Sequence, residues 1–175
     1  MDNNITLLSE DLASSFDDIK IVFTDQRMII MNCRKDSVIS LLSYLKNLGY
    51  DHLALISCVD RIKENAFELI YILSAYTEDV VKGGINLIVK TELIRDKAEM
   101  DTVISVFENA EPYERELHEL FGVYFKGHPR LTRLLLDREY PVPPFRKDFD
   151  TRKYVRDIFD NVPSVEVKKL KNERT

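Results

Sequence analysis

Apolar positions change period several times along the chain, and each change predicts an element. Lys20–Thr24 (KIVFT) and Met28–Cys33 (MIIMNC) are short, apolar and β-prone, and the polar Asp25-Gln26-Arg27 between them suits a hairpin turn. Asp36 then stands where a helix N-cap is expected. Val38, Leu41, Leu42, Leu45 and Leu48 follow at helical spacing, and Gly49 closes the run. Leu53–Val59 predicts a strand. Phe67–Leu73 alternates strictly, so Phe67, Leu69, Tyr71 and Leu73 share one face, and the polar Asp60–Asn65 joins the two as antiparallel neighbours. After Gly83-Gly84, Ile85, Leu87 and Val89 alternate with Asn86 and Lys90 to give a further strand.

A second helix is predicted from Asp96 to Phe107, with Met100, Val103, Ile104 and Phe107 on its apolar face. A third is predicted with Pro112 at its first position and Tyr113, Leu117, Leu120 and Phe121 on one side until Gly122. Beyond that point Pro129, Pro141, Pro143, Pro144 and Pro163 forbid long helices. The order is β-β-α-β-β-β-α-α-tail. It predicts an α+β fold: a two-layer domain over residues 1–125, with a largely antiparallel sheet and helices on one face, followed by an extended arm over 126–175. The arm carries Leu131, Leu134, Leu135, Leu136, Tyr140, Phe145, Phe149 and Tyr154, which an irregular segment can cover only on a surface supplied by the body or by another subunit.

Charge sharpens that division. Residues 1–125 hold 12 Lys and Arg against 22 Asp and Glu, whereas residues 126–156 hold 9 against 4. An acidic body thus carries a basic arm, suited to nucleic acid, a membrane surface or an acidic protein partner. No run of about 18 apolar residues is present to span a bilayer. The acidic start MDNNITLLSEDL lacks the pattern of a signal peptide, and Cys33 and Cys58 lie far apart in apolar runs, as buried reduced thiols would.

Candidate chemistry gathers around the third helix. Glu114 and His118 stand at i, i+4, a spacing that can grip a metal, and His128 could add a third ligand for a metal-assisted hydrolase; no HExxH motif accompanies them. The alternative is a helix laced by Glu111–Arg115 and Arg115–Glu119 pairs, with Gly127-His128-Pro129 as a turn. Arg130, Arg133, Arg138, Arg146, Lys147, Arg152, Lys153 and Arg156, interleaved with aromatics, could track a nucleic acid. Arginine forks in irregular segments equally suit carboxylates in permanent protein interfaces, which the acidic body favours.

Glu114-Arg115-Glu116, then Leu120-Phe121-Gly122-Val123-Tyr124-Phe125, Gly127-His128-Pro129, Leu131-Thr132-Arg133-Leu134-Leu135 and Arg146-Lys147-Asp148-Phe149 resemble the signature of the complex I thirty-kilodalton subunit family. That family includes small subunits of membrane-bound, energy-converting nickel-iron hydrogenases. The resemblance implies a cofactor-free, non-catalytic peripheral-arm subunit on the cytoplasmic side of the cell membrane. Its partners would be a large hydrogenase-like or quinone-reducing subunit and other peripheral-arm subunits. It implies a partner interface at His128, Arg133, Phe145, Arg146, Lys147, Asp148 and Phe149, with the two flanking aromatics as anchors. Glu114, Arg115, Glu116, Phe121, Gly122, Gly127 and Pro129 would then be structural. Two departures stand out. His118-Glu119 replaces the Trp-Asp of respiratory members, and Pro141-Val142-Pro143-Pro144-Phe145 replaces a second Gly-His-Pro-like turn. This shorter connection points toward a hydrogenase-type or other complex I-like assembly.

Overall fold

A computed structural model describes residues 2–25, 27–76 and 84–158. The chain opens with a helix that the apolar pattern does not predict, α1 (Asp2–Ser15), whose Leu12 is fully buried. Strands β1 (Lys20–Thr24) and β2 (Met28–Asn32) form the expected antiparallel hairpin, with Asp25 and Arg27 in its turn; Gln26 lies outside the described residues. Then come α2 (Val38–Asn47), β3 (His52–Arg61), β4 (Ala66–Ser74) and β5 (Asn86–Ile94), each strand of this trio running longer than its alternating core predicts. Of the glycine pair before β5, Gly83 lies outside the described residues.

The five strands lie in the order β1-β2-β5-β4-β3. Neighbours are antiparallel except β2 and β5, which run parallel with Ile29 opposite Leu87 and Met31 opposite Val89. One face is the core: Ile29, Met31, Phe67, Leu69, Tyr71, Leu73, Leu87 and Val89 are all completely buried, together with side chains of the helices. In α2, Val38, Leu41, Leu42 and Leu45 are at 0% exposure. Each such burial is worth roughly 1.5–3 kcal/mol. That outweighs a missing N-terminal side-chain cap, worth about 1 kcal/mol. Asp36 is not that cap: it sits inside a 3₁₀ turn, Lys35–Ser37, and the Ser37 hydroxyl donates to Asp18 instead.

The predicted helix from Asp96 to Phe107 does not form. A 3₁₀ turn (Arg95–Lys97) leads into the short strand β6 (Glu99–Asp101), and turns follow. The apolar spacing does mark buried positions, since Met100, Val103 and Phe107 are in the core. But β6 pairs in parallel with β7 (Tyr124–Lys126), and the Val103 N–H is taken by a side chain. The third helix, α3 (Ala110–Phe121), begins two residues before Pro112. The proline still falls within the first turn, where no intrahelical N–H is required. The arm holds a further helix that its prolines and charges do not announce, α4 (Thr151–Ile158); Asp150 Oδ1 accepts the Lys153 N–H and caps it.

Candidate functional site

Helix α3 carries the arm on one flank and the core on the other. Leu117, Leu120 and Phe121 face the sheet, and Tyr113 Oη and Asn109 Nδ2 donate to the Ala54 and Leu53 carbonyls of β3. Glu114 is at 0% exposure. Its Oε2 accepts from Thr102 Oγ1 at 2.6 Å and its Oε1 from the Val103 N–H at 2.8 Å. Burial pushes its carboxyl up to about 7, against the pull of those two bonds. Glu114 therefore fastens the turn that leaves β6 and faces no open site.

The next residues bind the arm. Arg115 Nε donates to the Thr132 carbonyl at 3.0 Å and Nη2 to the Arg133 carbonyl at 2.8 Å, while Nη1 pairs with Glu111. The expected Arg115–Glu119 pair is not made. Glu119 instead accepts three consecutive backbone N–H groups, from Leu134, Leu135 and Leu136, at 3.0, 2.9 and 2.7 Å. Burial opposes that charge, but the three donors prevail and hold the carboxyl below its ordinary range. His128 Nε2 donates to the Glu111 carbonyl and Nδ1 accepts the Arg130 N–H, so both ring nitrogens are occupied. His118 Nδ1 donates to the Val123 carbonyl. Glu114, His118 and His128 thus face different partners, and among the described residues no group of three His, Cys, Asp or Glu side chains could hold a metal.

Two glycines set the path into the arm. Gly122 ends α3 at φ +81°, and a Cβ there would stand 3.0 Å from Pro143 Cγ. Gly127 has φ +84° and lies against Thr102. Both conformations strain any other residue.

Further along, the arm meets the ends of β3 and β5. Asp60 and Arg95 form a buried bidentate pair, at 2.9 and 3.1 Å. The Lys147 N–H donates to Asp60 Oδ2 at 2.8 Å, and Arg95 Nη2, shared with Asp60, also donates to Asp148 Oδ1. Burial disfavours the Asp60 charge, but Arg95 and the Lys147 N–H hold its carboxyl below the usual range; Arg95 foremost does the same for Asp148. Arg95 and Arg146 lie over the Phe67 ring, 5.6 and 5.8 Å from its centroid. Phe145 is edge-on to Phe121, and its N–H donates to the Leu120 carbonyl. Phe149 packs with Tyr140 and Tyr154. Cys33 and Cys58 are buried, which pushes each thiol up to about 12.

The residues singled out in the arm are therefore brought together along α3 and the strand ends. Asp60 and Arg95 are the site residues that motif reading passes over, although the sequence holds a signal. Both continue a buried parity: Asp60 that of Ile56 and Cys58, Arg95 that of Val89, Thr91 and Leu93. A charge on the core side of a strand calls for a partner. The arm's other side is uncovered: Leu134, Leu135 and Phe145 are 39%, 62% and 59% exposed, and Arg133 and Lys147 are exposed beside them.

The family described as the respiratory-chain NADH dehydrogenase 30 Kd subunit matches residues 31–155. The chain belongs to that family, as the motif series from Glu114 to Phe149 indicated. The C component of an F420H2 dehydrogenase from Methanosarcina mazei is 40% identical over 118 residues, 66% of this chain and 72% of that one. The C/D polypeptide of an NADH-quinone oxidoreductase from Blochmanniella pennsylvanica is 30% identical over 85% of this chain, which spans 26% of that relative's length. Among solved structures, a chain of the membrane-bound sulfane sulfur reductase, an archaeal respiratory membrane complex, superposes with a TM-score of 0.80 at 28% identity, covering 94% of this chain and 96% of that one. Within this thirty-kilodalton family fold, α3 and the arm hold the motif residues, and no helix among the described residues is long and apolar enough to cross a membrane.

Proposed function

We propose that this chain is a cofactor-free subunit of a membrane-associated, complex I-like redox complex, seated on its cytoplasmic side. Its arm binds and stabilises the large catalytic-type subunit, of the hydrogenase-like or quinone-reducing kind. The observation that carries this reading is the two-sided arm. Its inner side is bonded to the body by Arg115, Glu119, Asp60 and Arg95, while Leu134, Leu135 and Phe145 face outward with Arg133 and Lys147. Aromatic and aliphatic anchors ringed by cations fit a protein interface better than solvent. The relatives are named for different donors and acceptors: F420H2, NADH and quinone, and sulfane sulfur. A part common to such complexes fits an organising role. Of the other arm residues expected at the interface, Asp148, 41% exposed at its side chain, would extend the same surface, whereas His128, Arg146 and Phe149 would act by holding the arm in place through their contacts with Glu111, Phe67 and Tyr140.

Co-purification with the co-expressed large subunit tests the reading. Phe145→Ala with Leu135→Ala should reduce capture about tenfold or more, since each buried anchor is commonly worth about 1 kcal/mol or more. The free chain should lose no more stability than the edge-on Phe145–Phe121 contact is worth, about 0.5–1.5 kcal/mol. Full capture by the double variant, or stoichiometric iron, nickel or flavin on the purified chain, would overturn it.

A further inference from the structure

Strand β5 outruns its neighbour. Its register with β2 ends at Asn32 opposite Lys90, where the Cys33 N–H closes the ladder on the Lys90 carbonyl, yet β5 continues to Ile94. The Asn86 N–H and the Lys90 carbonyl both bond toward β2, so even-numbered residues turn their backbone groups to this side. Glu92 and Ile94 repeat that orientation, and among the described residues no strand pairs with β5 there. Odd-numbered residues face the other way, as the Arg95 N–H shows by bonding the Asn65 carbonyl.

This edge opens into a cleft of about 690 Å³ that Arg34–Asp36, Lys97 and Glu99 also line. A second cavity of about 230 Å³ continues it along the whole of β6, sharing Lys35, Asp36 and Glu99. Thr91, 2% exposed, lines the first cleft, and its hydroxyl has no hydrogen-bond partner. Ile94 is 68% exposed beside it.

We propose that the β5 edge from Thr91 to Ile94 receives an extended strand of a partner polypeptide, which adds to the sheet through main-chain hydrogen bonds. The recognising groups are backbone donors and acceptors, whose complement is another backbone. Four residues at about 3.3 Å each give roughly 13 Å of edge. Five cationic and five anionic side chains line the cleft, which favours a segment of small net charge over nucleic acid or another polyanion. The strand would offer an acceptor or donor to Thr91 on its inner side and an apolar residue to Ile94 on its outer side.

A phage-displayed library of linear heptapeptides, selected on the full chain, supplies the probe. Its winners should alternate polar and apolar residues, slow amide exchange at Glu92 and Ile94 by about tenfold or more, and bind with little dependence on salt. N-methylation of alternate peptide amides should abolish binding. Glu92→Pro, which removes an N–H that no ladder uses, should abolish it while leaving the fold cooperative; the N-methyl comparison decides if that variant fails to fold. No selected peptide, protection elsewhere, or indifference to N-methylation would overturn the proposal. So would concentration-dependent protection of Glu92 and Ile94 in the chain alone, which would assign the edge to a second copy.

Discussion

Arg95 Nη2 lies 2.5 Å from Asp148 Oδ1, joining the end of β5 to a residue 53 positions later in the arm. The same guanidinium is bidentate to buried Asp60, so one cation serves two carboxylates, one inside and one at the rim. The arm is thereby anchored to the sheet at its most polar point.

Removing that cation should be costly. Arg95→Ala leaves Asp60, 3% exposed, without its counter-charge, a change that commonly costs about 3–5 kcal/mol. Asp148 is 41% exposed at its side chain, so Asp148→Asn should cost only about 1 kcal/mol after solvent screening. Urea unfolding of the two variants checks the order; equal losses would contradict it.

Glu114 should give stability an unusual pH slope. Its carboxyl is raised from 4.5 to about 7. Between those values the folded chain keeps a proton that the unfolded chain has released, so stability falls as pH rises, by about 3 kcal/mol in all from this group. Asp60, Asp148 and Glu119 act oppositely and lower down: their carboxyls are depressed, so their contribution is present above the ordinary range and is lost as pH falls through the folded values. Urea midpoints at pH 5 and pH 7 should therefore differ more for the natural chain than for Glu114→Gln. Identical slopes would place the Glu114 titration elsewhere.

Glu119 should control the order of the segment it caps. Glu119→Ala strips the acceptor from three adjacent N–H groups, a loss of about 1.5–3 kcal/mol for bonds to a charged group. Amide exchange at Leu134, Leu135 and Leu136 should accelerate by about tenfold or more, with exchange in β4 unchanged. Uniform acceleration would mean a global loss of stability instead.

Gly122 combines backbone and steric demands. Gly122→Ala should cost about 1–3 kcal/mol from the left-handed conformation alone, with a further loss from the Cβ meeting Pro143 Cγ at 3.0 Å. Pro143→Ala in the same chain should recover the steric part and leave the backbone part. A double-mutant cycle in thermal unfolding separates them, and additivity would exclude the contact.

The sheet is legible in the sequence because its strands alternate cleanly: Phe67, Leu69, Tyr71 and Leu73 all reach the core. The stretch from Asp96 to Phe107 is not, because Met100, Val103 and Phe107 have helical spacing while the backbone there is claimed by β7 and Glu114. Both are tertiary partners that local periodicity cannot reveal. The arm's motif residues can be found in the sequence, but their attachments are hidden. Arg115 and Glu119 read as partners of each other, when each is spent on backbone groups of residues 132–136. Sequence shows which groups can bond, and long-range geometry chooses among them.

The parallel pairing of β2 with β5 has a consequence for how the molecule is made. Ile29 meets Leu87 only after α2, β3 and β4 have been synthesised. The β1–β2 hairpin therefore leaves the ribosome with one long edge unsatisfied and must wait, while β3, β4 and β5 can pair with neighbours close in sequence. Such late, non-local closure slows folding and exposes the early hairpin to strand exchange with other nascent chains. Destabilising the β1–β2 hairpin should therefore both slow refolding and lower the yield of soluble chain.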